Sequence, residues 1–587
     1  MYSYTDFDKH FVRQRAAQYR DQLRRKLSGE LSEDEFRPLR LQNGWYVQRH
    51  APMLRVAVPY GELNSTQLRA LARIAREFDR GYGHFTTRQN LQFNWIPLDR
   101  SADVMDALAA VDMHGIQTSG NCIRNTTSDC FAGVAPDEAV DPRPYAEVLR
   151  QWSTLHPEFA FLPRKFKIAI TGAVEDRAAI AWHDIGLQLL RNGSGQVGFK
   201  VLVGGGMGRT PVVGTVIREF LPWQQILVFI EAIVRVYNRY GRRDNLYKAR
   251  IKILVKAEGQ GFLDDVTAEF LNIMENDADG RAHLIPQAEF DRVAASFKRP
   301  AGVVAQLAPA ASTVPADAPA GFKRWLERNV HGHQLAGYRA VTLSLKRSGQ
   351  APGDATDQQM DLAADLSDRF SAGDLRVSHD QNLVLPWVRE SDLFALWEAA
   401  RDAGFATPNI GLLTDMIACP GGDFCALANA RSIPIAQAIT ERFEDIDELY
   451  DIGDIDLHIS GCINSCGHHH SGSIGILGVD KDGKEWYQVS LGGADGSAAS
   501  GSAVAGKVIG PSFAADEVPD VIEAVIDTYR GQRAGDERFA ATVRRIGLDP
   551  FKTAANAVRR ATAATTNAAD TAHTAQTAQA AQAAQAA

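Results

Sequence analysis

Apolar positions along this chain follow two rhythms, and the same succession of rhythms occurs twice. From Asn64 to Arg80, "NSTQLRALARIAREFDR", apolar residues recur every three or four positions, the spacing of one helix face. A strand-like stretch follows at 86–96, "TTRQNLQFNWI", and then a second helical pattern at 102–115, "ADVMDALAAVDMHG". The series returns as "TDQQMDLAADLSDRFSA" at 356–372, "SHDQNLVLPWV" at 378–388 and "SDLFALWEAARDAG" at 391–404. Gln, Asn, Leu and Trp fall in register between the two middle stretches. Helix, strand, helix at matched spacing predicts a duplicated ferredoxin-like α/β unit. A weaker echo lies further on. "FKIAITG" at 166–172 resembles "IDLHISG" at 455–461, and "GFKVLVGGGMGR" at 198–209 resembles "WYQVSLGGADG" at 486–496.

The fold class expected is therefore α/β (α+β), in two pseudo-symmetric halves. Each half is a ferredoxin-like unit followed by a larger mixed α/β unit. The boundaries read as an N-terminal arm 1–45, a first repeat 46–115, a larger unit 116–306, a linker 307–325, a second repeat 326–405, a second larger unit 406–555 and a tail 556–587. The linker contains the Ala/Pro-rich run "LAPAASTVPADAPA" at 307–320, and the tail is rich in Ala, Thr and Gln. Neither has apolar periodicity, so neither is expected to build a core.

Bulk composition narrows the classes of function. The chain has 587 residues, 45% of them hydrophobic, which is ordinary for several globular units. No apolar run approaches the ~18 residues of a membrane span, and the N-terminus lacks a secretory apolar segment, so no membrane partner is expected. Six cysteines are too sparse for a disulfide framework, which makes the cytoplasm the expected compartment. A net charge of −8 argues against general nucleic-acid binding. Arg13 to Lys26 nevertheless carries six basic residues and one acid. It reads as a solvated helix face or as a docking surface for an acidic electron donor.

Cys419, Cys425, Cys462 and Cys466 read C-x5-C, then 36 residues, then C-x3-C. Structural zinc prefers tighter knuckles, and thioredoxin-type redox chemistry uses C-x2-C. Four thiols with neighbouring glycines suit a [4Fe–4S] cluster, whose sulfides accept backbone amides. Zinc and unligated core cysteines stay open on spacing alone. His468, His469 and His470 follow directly. Adjacent residues point in different directions, so they suit the rim of a polar pocket better than one metal ion. Cys122 and Cys130 read as small buried residues, with Cys122 close to whatever Arg124 serves.

The basic residues of the first half form a second constellation. Arg88 lies next to a strand in "TTRQNLQFNW", and Arg124 in the polar stretch "TSGNCIRNTT". Lys165 and Lys167, in "FLPRKFKIAI", are expected on one face of a strand, since i and i+2 share a face. Desolvating two cations is costly unless anions meet them. At the matching positions the second half carries Asp380 for Arg88 and Asp456 for Lys167. A single active site at the join of two diverged halves would have this character.

Together, the cysteine spacing, "TTRQNLQF", "LPRKFK" and the duplicated unit resemble the sirohaem- and [4Fe–4S]-containing sulfite and nitrite reductases, over about residues 45–555. The resemblance implies that Cys419, Cys425, Cys462 and Cys466 hold the cluster, and that Cys466 also ligates the sirohaem iron. It implies that Arg88, Arg124, Lys165 and Lys167 ring the face where the anion is reduced. Sirohaem carries many carboxylates, so Arg209, Arg250 and Lys252 are further candidates to meet them. Gly204, Gly205 and Gly206 are candidates to bring backbone amides to one. Sulfite-reducing members carry Lys-x-Lys after "LPR", as here, whereas nitrite-reducing members tend to have Asn at the second position. The implied activity is the six-electron reduction of sulfite, with nitrite reduction as the alternative. A non-catalytic iron–sulfur carrier is a further reading, but it leaves the basic ring unexplained. No dinucleotide-binding turn is evident, so electrons are expected from a separate ferredoxin or NADPH-flavoprotein subunit.

Overall fold

The computed structural model describes every residue except 1, 51, 277–282, 305–316, 498–499 and 560–587. The predicted helices form where periodicity places them. Ser65–Phe78 buries Leu68, Leu71, Ala72 and Ala75, and its counterpart Asp357–Phe370 buries Met360, Ala363, Ala364 and Ser367. Both open with a reciprocal cap. Asn64 exchanges hydrogen bonds with Gln67, and Thr356 with Gln359, satisfying backbone donors that a helix start leaves orphaned. The two helices pack together, flanked by pairs from Arg69 to Asp365 and Asp368 and from Arg76 to Asp357 and Asp361.

The small sheets are not independent. The first runs Trp45–Val47, Pro52–Val56, Leu91–Phe93, Tyr82–Phe85, and is completed by Asp354–Thr356 from the second half. The second runs Val330–His331, Tyr338–Leu343, Leu383–Arg389, Asp374–Val377, and is completed by Glu62–Asn64 from the first. Each repeat thus lends the other an edge strand, and one hydrophobic core serves both. Buried Glu62 anchors the exchange, pairing with Arg376 of the receiving sheet and with Arg143, each at 2.8 Å. An acid so enclosed needs such partners to stay charged.

The larger units repeat one topology. In the first, Thr127–Ser128, Ile168–Thr171 and Ile185–Arg191 run parallel, and Val197–Val203 and Thr215–Pro222 continue antiparallel. In the second, Ile417–Ala418, Leu457–Ser460 and Ile474–Lys481 are parallel, and Lys484–Leu491 and Lys507–Val508 are antiparallel. Each sheet has its own core.

The N-terminal arm is a helix, Asp6–Leu27, whose Val12, Ala16, Tyr19 and Leu23 join the shared core. Its basic residues are largely neutralised: Arg20 meets Asp103 and Asp106, Arg24 meets Asp21 and Glu30, and Lys26 meets Glu33. The expected linker lies outside the described residues up to 316. It is not irregular to 325, because helix Ala320–Asn329 begins within it and buries Phe322 and Trp325. The chain is helical up to 559, with Ala555 buried, and the rest of the tail lies outside the described residues. Among the described residues no helix is long and apolar enough to cross a membrane.

Candidate active site

The Arg88 side chain is aimed by a tight turn. Thr86 N–H donates to Asn90 O at 2.9 Å, and Gln89 takes a positive φ of 57°. The Gln89 amide then fastens the turn to the large sheet, donating to Ser128 O (2.8 Å) and accepting from Ser128 N (2.9 Å). Arg88 is left to reach Thr127 Oγ1 and Asn125 O, both at 2.7 Å. In the second half Gln381 plays the Gln89 part, donating to Ala418 O (3.1 Å) and accepting from Ala418 N (2.9 Å).

Lys165 and Lys167 lie just ahead of a strand rather than on it, because Ile168–Thr171 begins one residue later. The expected alternation survives. Phe166 between them is fully buried, bridges Ile123, and accepts a backbone hydrogen bond from Arg124 N at 2.8 Å. The two ammonium groups therefore share the opposite side. Among the described residues no carboxylate pairs with either of them. Burial pushes Lys165 down to about 8, with the Cys466 thiol opposing and Arg124 and Arg250 adding to the depression. Burial, Lys165 and Arg88 hold Lys167 well below the usual lysine range. Arg88 is lowered to about 9, by burial first. The Arg124 guanidinium is held by the carbonyls of Thr118 (2.8 Å) and Gly120 (2.7 Å). The four expected basic residues thus form one electrostatic cluster.

The outer candidates divide. Arg250 grips the buried carboxylate of Asp184 with contacts of 2.7–3.0 Å. Asp184 also accepts Lys167 N–H at 2.8 Å, so it positions both cations, a role the sequence did not reveal. Lys252 Nζ donates to the carbonyls of Met207 and Thr210 at 2.6 Å. Arg250 and Lys252, expected to face cofactor carboxylates, are thus engaged with the protein itself. Arg209 is exposed and makes no hydrogen bond or ion pair among the described residues. Gly205 permits a close passage: a Cβ there would lie 2.4 Å from Ala181 O. Gly204 and Gly206 carry positive φ values of 79° and 154°.

The cysteines lie on two loops at the ends of adjacent parallel strands, Ile417–Ala418 and Leu457–Ser460. Gly461 N–H points at Cys419 Sγ at 3.3 Å, and a Cβ on Gly461 would lie 2.6 Å from Gly421 Cα, so glycine lets the loops meet. Burial raises the Cys419 thiol to about 12 and lifts Cys425 and Cys462, with Cys466 adding to each. Buried thiols of this kind become thiolates when metal charge compensates them. Among the described residues no group of three His, Cys, Asp or Glu closes on a single-ion site. Thiols that each bind a separate corner of a cubane stand further apart than ligands of one ion. Cys466 is the exposed member and turns toward the lysines.

Contacts between the halves complete the site. Thr87 Oγ1 donates to Cys466 O at 2.8 Å, bringing the Arg88 turn to the last cysteine. His470 Nε2 lies 2.9 Å from Gly208 O, and His468 Nδ1 lies 3.2 Å from His379 Nε2. Among the described residues, neither ring nitrogen of buried His469 has a hydrogen-bond partner. The three histidines thus diverge. Cys122 donates to Ser119 O (3.3 Å) beside the Arg124 carbonyls, and Cys130 packs with Val134, Ala340 and Trp387.

Comparison with known proteins finds the nitrite and sulphite reductase 4Fe–4S domain at residues 119–270 and 412–562. The nitrite/sulfite reductase ferredoxin-like half domain matches 46–111 and 333–403. A sulfite reductase [ferredoxin] of Mycobacterium tuberculosis (strain ATCC 25618 / H37Rv) is 27% identical over 512 residues, covering 85% of this chain and 83% of its own. An assimilatory ferredoxin-dependent nitrite reductase of Haloferax mediterranei is 27% identical over 522 residues, covering 85% and 82%. The solved structure of the Mycobacterium tuberculosis NirA protein matches with a TM-score of 0.70 at 25% identity, covering 89% of this chain and 92% of that one.

Proposed function

The chain belongs to the nitrite and sulphite reductase family, and from that premise we propose that it reduces sulfite to sulfide, with electrons from a ferredoxin. The family's cofactors are sirohaem and a [4Fe–4S] cluster, and the residues present fit both. Four thiols on two glycine-hinged loops suit a cubane, and a buried cation cluster whose two lysines have no carboxylate partner among the described residues suits a polycarboxylate macrocycle. In this reading Cys419, Cys425, Cys462 and Cys466 would hold the cluster, and Cys466 would also serve the haem. When bound, the pair supplies the electrons and the iron at which the anion is reduced.

The chain's own residues bind the anion and manage protons. The sulfite dianion takes six electrons and seven protons, giving hydrosulfide and three waters. Arg88 and Arg124, fixed by carbonyls, serve as standing positive charge. Lys165, on the same side as Lys167 and beside Arg124, is placed to give a proton from Nζ to the anion, as a general acid must. The Lys167 backbone N–H is anchored on Asp184, which fixes where its side chain leaves the main chain.

Lys167 carries the choice of sulfite. Sulfite is a dianion and nitrite a monoanion, so an extra cation favours sulfite. One unit charge at about 4 Å contributes about 4 kcal/mol at an effective dielectric of ~20. Desolvation of the lysine offsets much of this and leaves a preference of about 1–3 kcal/mol, roughly tenfold to a hundredfold. Steady-state kinetics on both anions with reduced methyl viologen is the test. We expect kcat/KM to be higher for sulfite, and Lys167→Asn to lose sulfite turnover far more than nitrite turnover. Nitrite reduction is the second reading, supported by the equal identity of the Haloferax relative. A wild-type preference for nitrite would establish it.

A further inference from the structure

Asp184 is a fully buried acid set among cations. Its carboxylate accepts from Nε and Nη2 of Arg250 at 2.7–3.0 Å and from the Lys167 backbone N–H at 2.8 Å. Its own carbonyl accepts Gly204 N–H at 2.9 Å, and the next residue, Ile185, donates its N–H to Lys167 O at 3.2 Å. Arg250 is held from the other side, because Tyr237 OH donates to Ala249 O at 2.6 Å. Among the described residues Arg88, Arg124, Lys165 and Lys167 form no ion pair, and Arg250 forms one, with Asp184. The Asp184 charge also opposes the burial that lowers Arg88 and Lys252.

The second half shows what this backbone needs. Ile474 pairs with Leu457 as Ile185 pairs with Ile168, so Ser473 stands where Asp184 stands. The frame is the same: Ser473 O accepts Gly492 N–H at 3.0 Å, and Ile474 N–H donates to Asp456 O at 3.0 Å. Ser473 is buried, as Asp184 is. The strands and their turn thus close without a carboxylate at this place. The half with Arg88 and Lys167 carries the acid, and the half with Asp380 and Asp456 carries a neutral hydroxyl. The acid therefore answers to the cations rather than to the fold. One negative charge fixed among them subtracts from the field that an entering anion meets, and the subtraction scales with the anion's charge.

We propose that Asp184 is a specificity-setting residue that moderates the cation cluster: its fixed negative charge weakens the hold on a dianion about twice as much, on a logarithmic scale, as the hold on a monoanion. The proposal rests on the anion reduction read above. It gives Asp184 a role opposite to that of Lys167, since one raises the preference for sulfite and the other limits it.

The test is steady-state kinetics of holoenzyme on sulfite and on nitrite with reduced methyl viologen, counted per bound haem from the visible spectrum. Asp184→Asn keeps an oxygen for Lys167 N–H and removes the charge. It is expected to lower KM about tenfold for sulfite and about threefold for nitrite. The same grading is expected in dissociation constants read from the shift of the visible haem band as each anion is titrated. Arg250→Gln leaves the Asp184 charge unopposed and is expected to shift both anions in the opposite sense, sulfite more. The double variant, neutral at both places, is expected to return toward wild type. Ser473→Ala is expected to leave both KM values unchanged. A fall in kcat with KM unchanged, or equal KM shifts on the two anions, marks a purely structural role and overturns the proposal. An equal shift in Ser473→Ala overturns it too. If Asp184→Asn does not fold, Arg250→Gln decides by the same criterion. A wild-type preference for nitrite with the graded shift intact supports the moderating role and overturns the sulfite reading alone. No turnover of either anion by the wild type overturns both.

Discussion

Arg88 and Asp380 occupy the same place in two copies of one turn, and they carry opposite charge. Around them the copies agree. Gln89 and Gln381 both take a positive φ, 57° and 64°, and both fasten their turn to a large sheet through a two-way amide contact. Asn90 and Asn382 also match: Asn90 Oδ1 accepts Val58 N–H at 3.2 Å and Asn382 Oδ1 accepts Leu345 N–H at 2.9 Å. The groups facing the interior differ. Lys167 corresponds to Asp456, and two residues earlier Lys165 corresponds to Asp454. Burial raises Asp380 to about 7, with Asp415 adding and Lys346 opposing. Burial and the neighbouring aspartates hold Asp456 well above the usual carboxylate range. The residues that hold the scaffold are alike in the two copies, while the interior-facing positions carry basic side chains in one and acidic side chains in the other.

The sharpest way to break this comparison is to remove the residue on which the anion-attracting pocket converges. Cys466→Ser is expected to abolish turnover and the electronic coupling of haem and cluster, read by visible and EPR spectra. Cys130→Ser, in an apolar cluster, is expected to keep both. Wild-type spectra in purified Cys466→Ser would refute the ligand assignment.

Next comes the inverted pair itself. Arg88→Ala is expected to lower kcat by about 10²–10³, the scale for losing one fixed electrostatic stabiliser. Asp380→Ala is expected to change kcat little. Equal losses would mean that both pockets take part in the chemistry.

The shared glutamines give the opposite expectation. Gln89→Ala and Gln381→Ala each leave buried backbone groups unpaired, at about 1–3 kcal/mol. Their thermal midpoints should therefore fall together. A drop in one alone would show that the repeat is unequal in its framework as well as in its charges.

A further expectation concerns pH. Asp380 has a folded value of about 7 against 3.8 when unperturbed, so folding favours its neutral form. That contribution is complete below about pH 4 and is lost as pH rises toward about 7. Asp380→Asn should remove this decline, so the stability gain over wild type grows between about pH 5 and pH 7 and then levels off. A gain independent of pH would place Asp380 in a more solvated setting.

Much of this protein is determined by local sequence. Leu68, Leu71 and Ala75 mark a helix because periodicity acts over a few residues, and Lys165 and Lys167 share a side because backbone alternation does. The two cysteine pairs are legible for the same reason, since Cys419 and Cys425, and Cys462 and Cys466, each lie within one loop. What tertiary structure alone decided acts across long separations. Glu62–Asn64 and Asp354–Thr356 are three-residue strands with no strong preference of their own, and they pair only because the halves exchange edges. Thr87 meets Cys466 across 379 positions, and Arg250 finds Asp184 across 66. The Arg250 pairing with Asp184 is an internal ion pair that spacing along the chain did not announce. The same holds for the basic N-terminal helix, whose charge looked free until Asp103 and Asp106 folded against it. A side chain's type is written in the sequence, but whether its charge is spent inside the protein depends on what lies within a few ångströms, and that is settled only when distant segments pack.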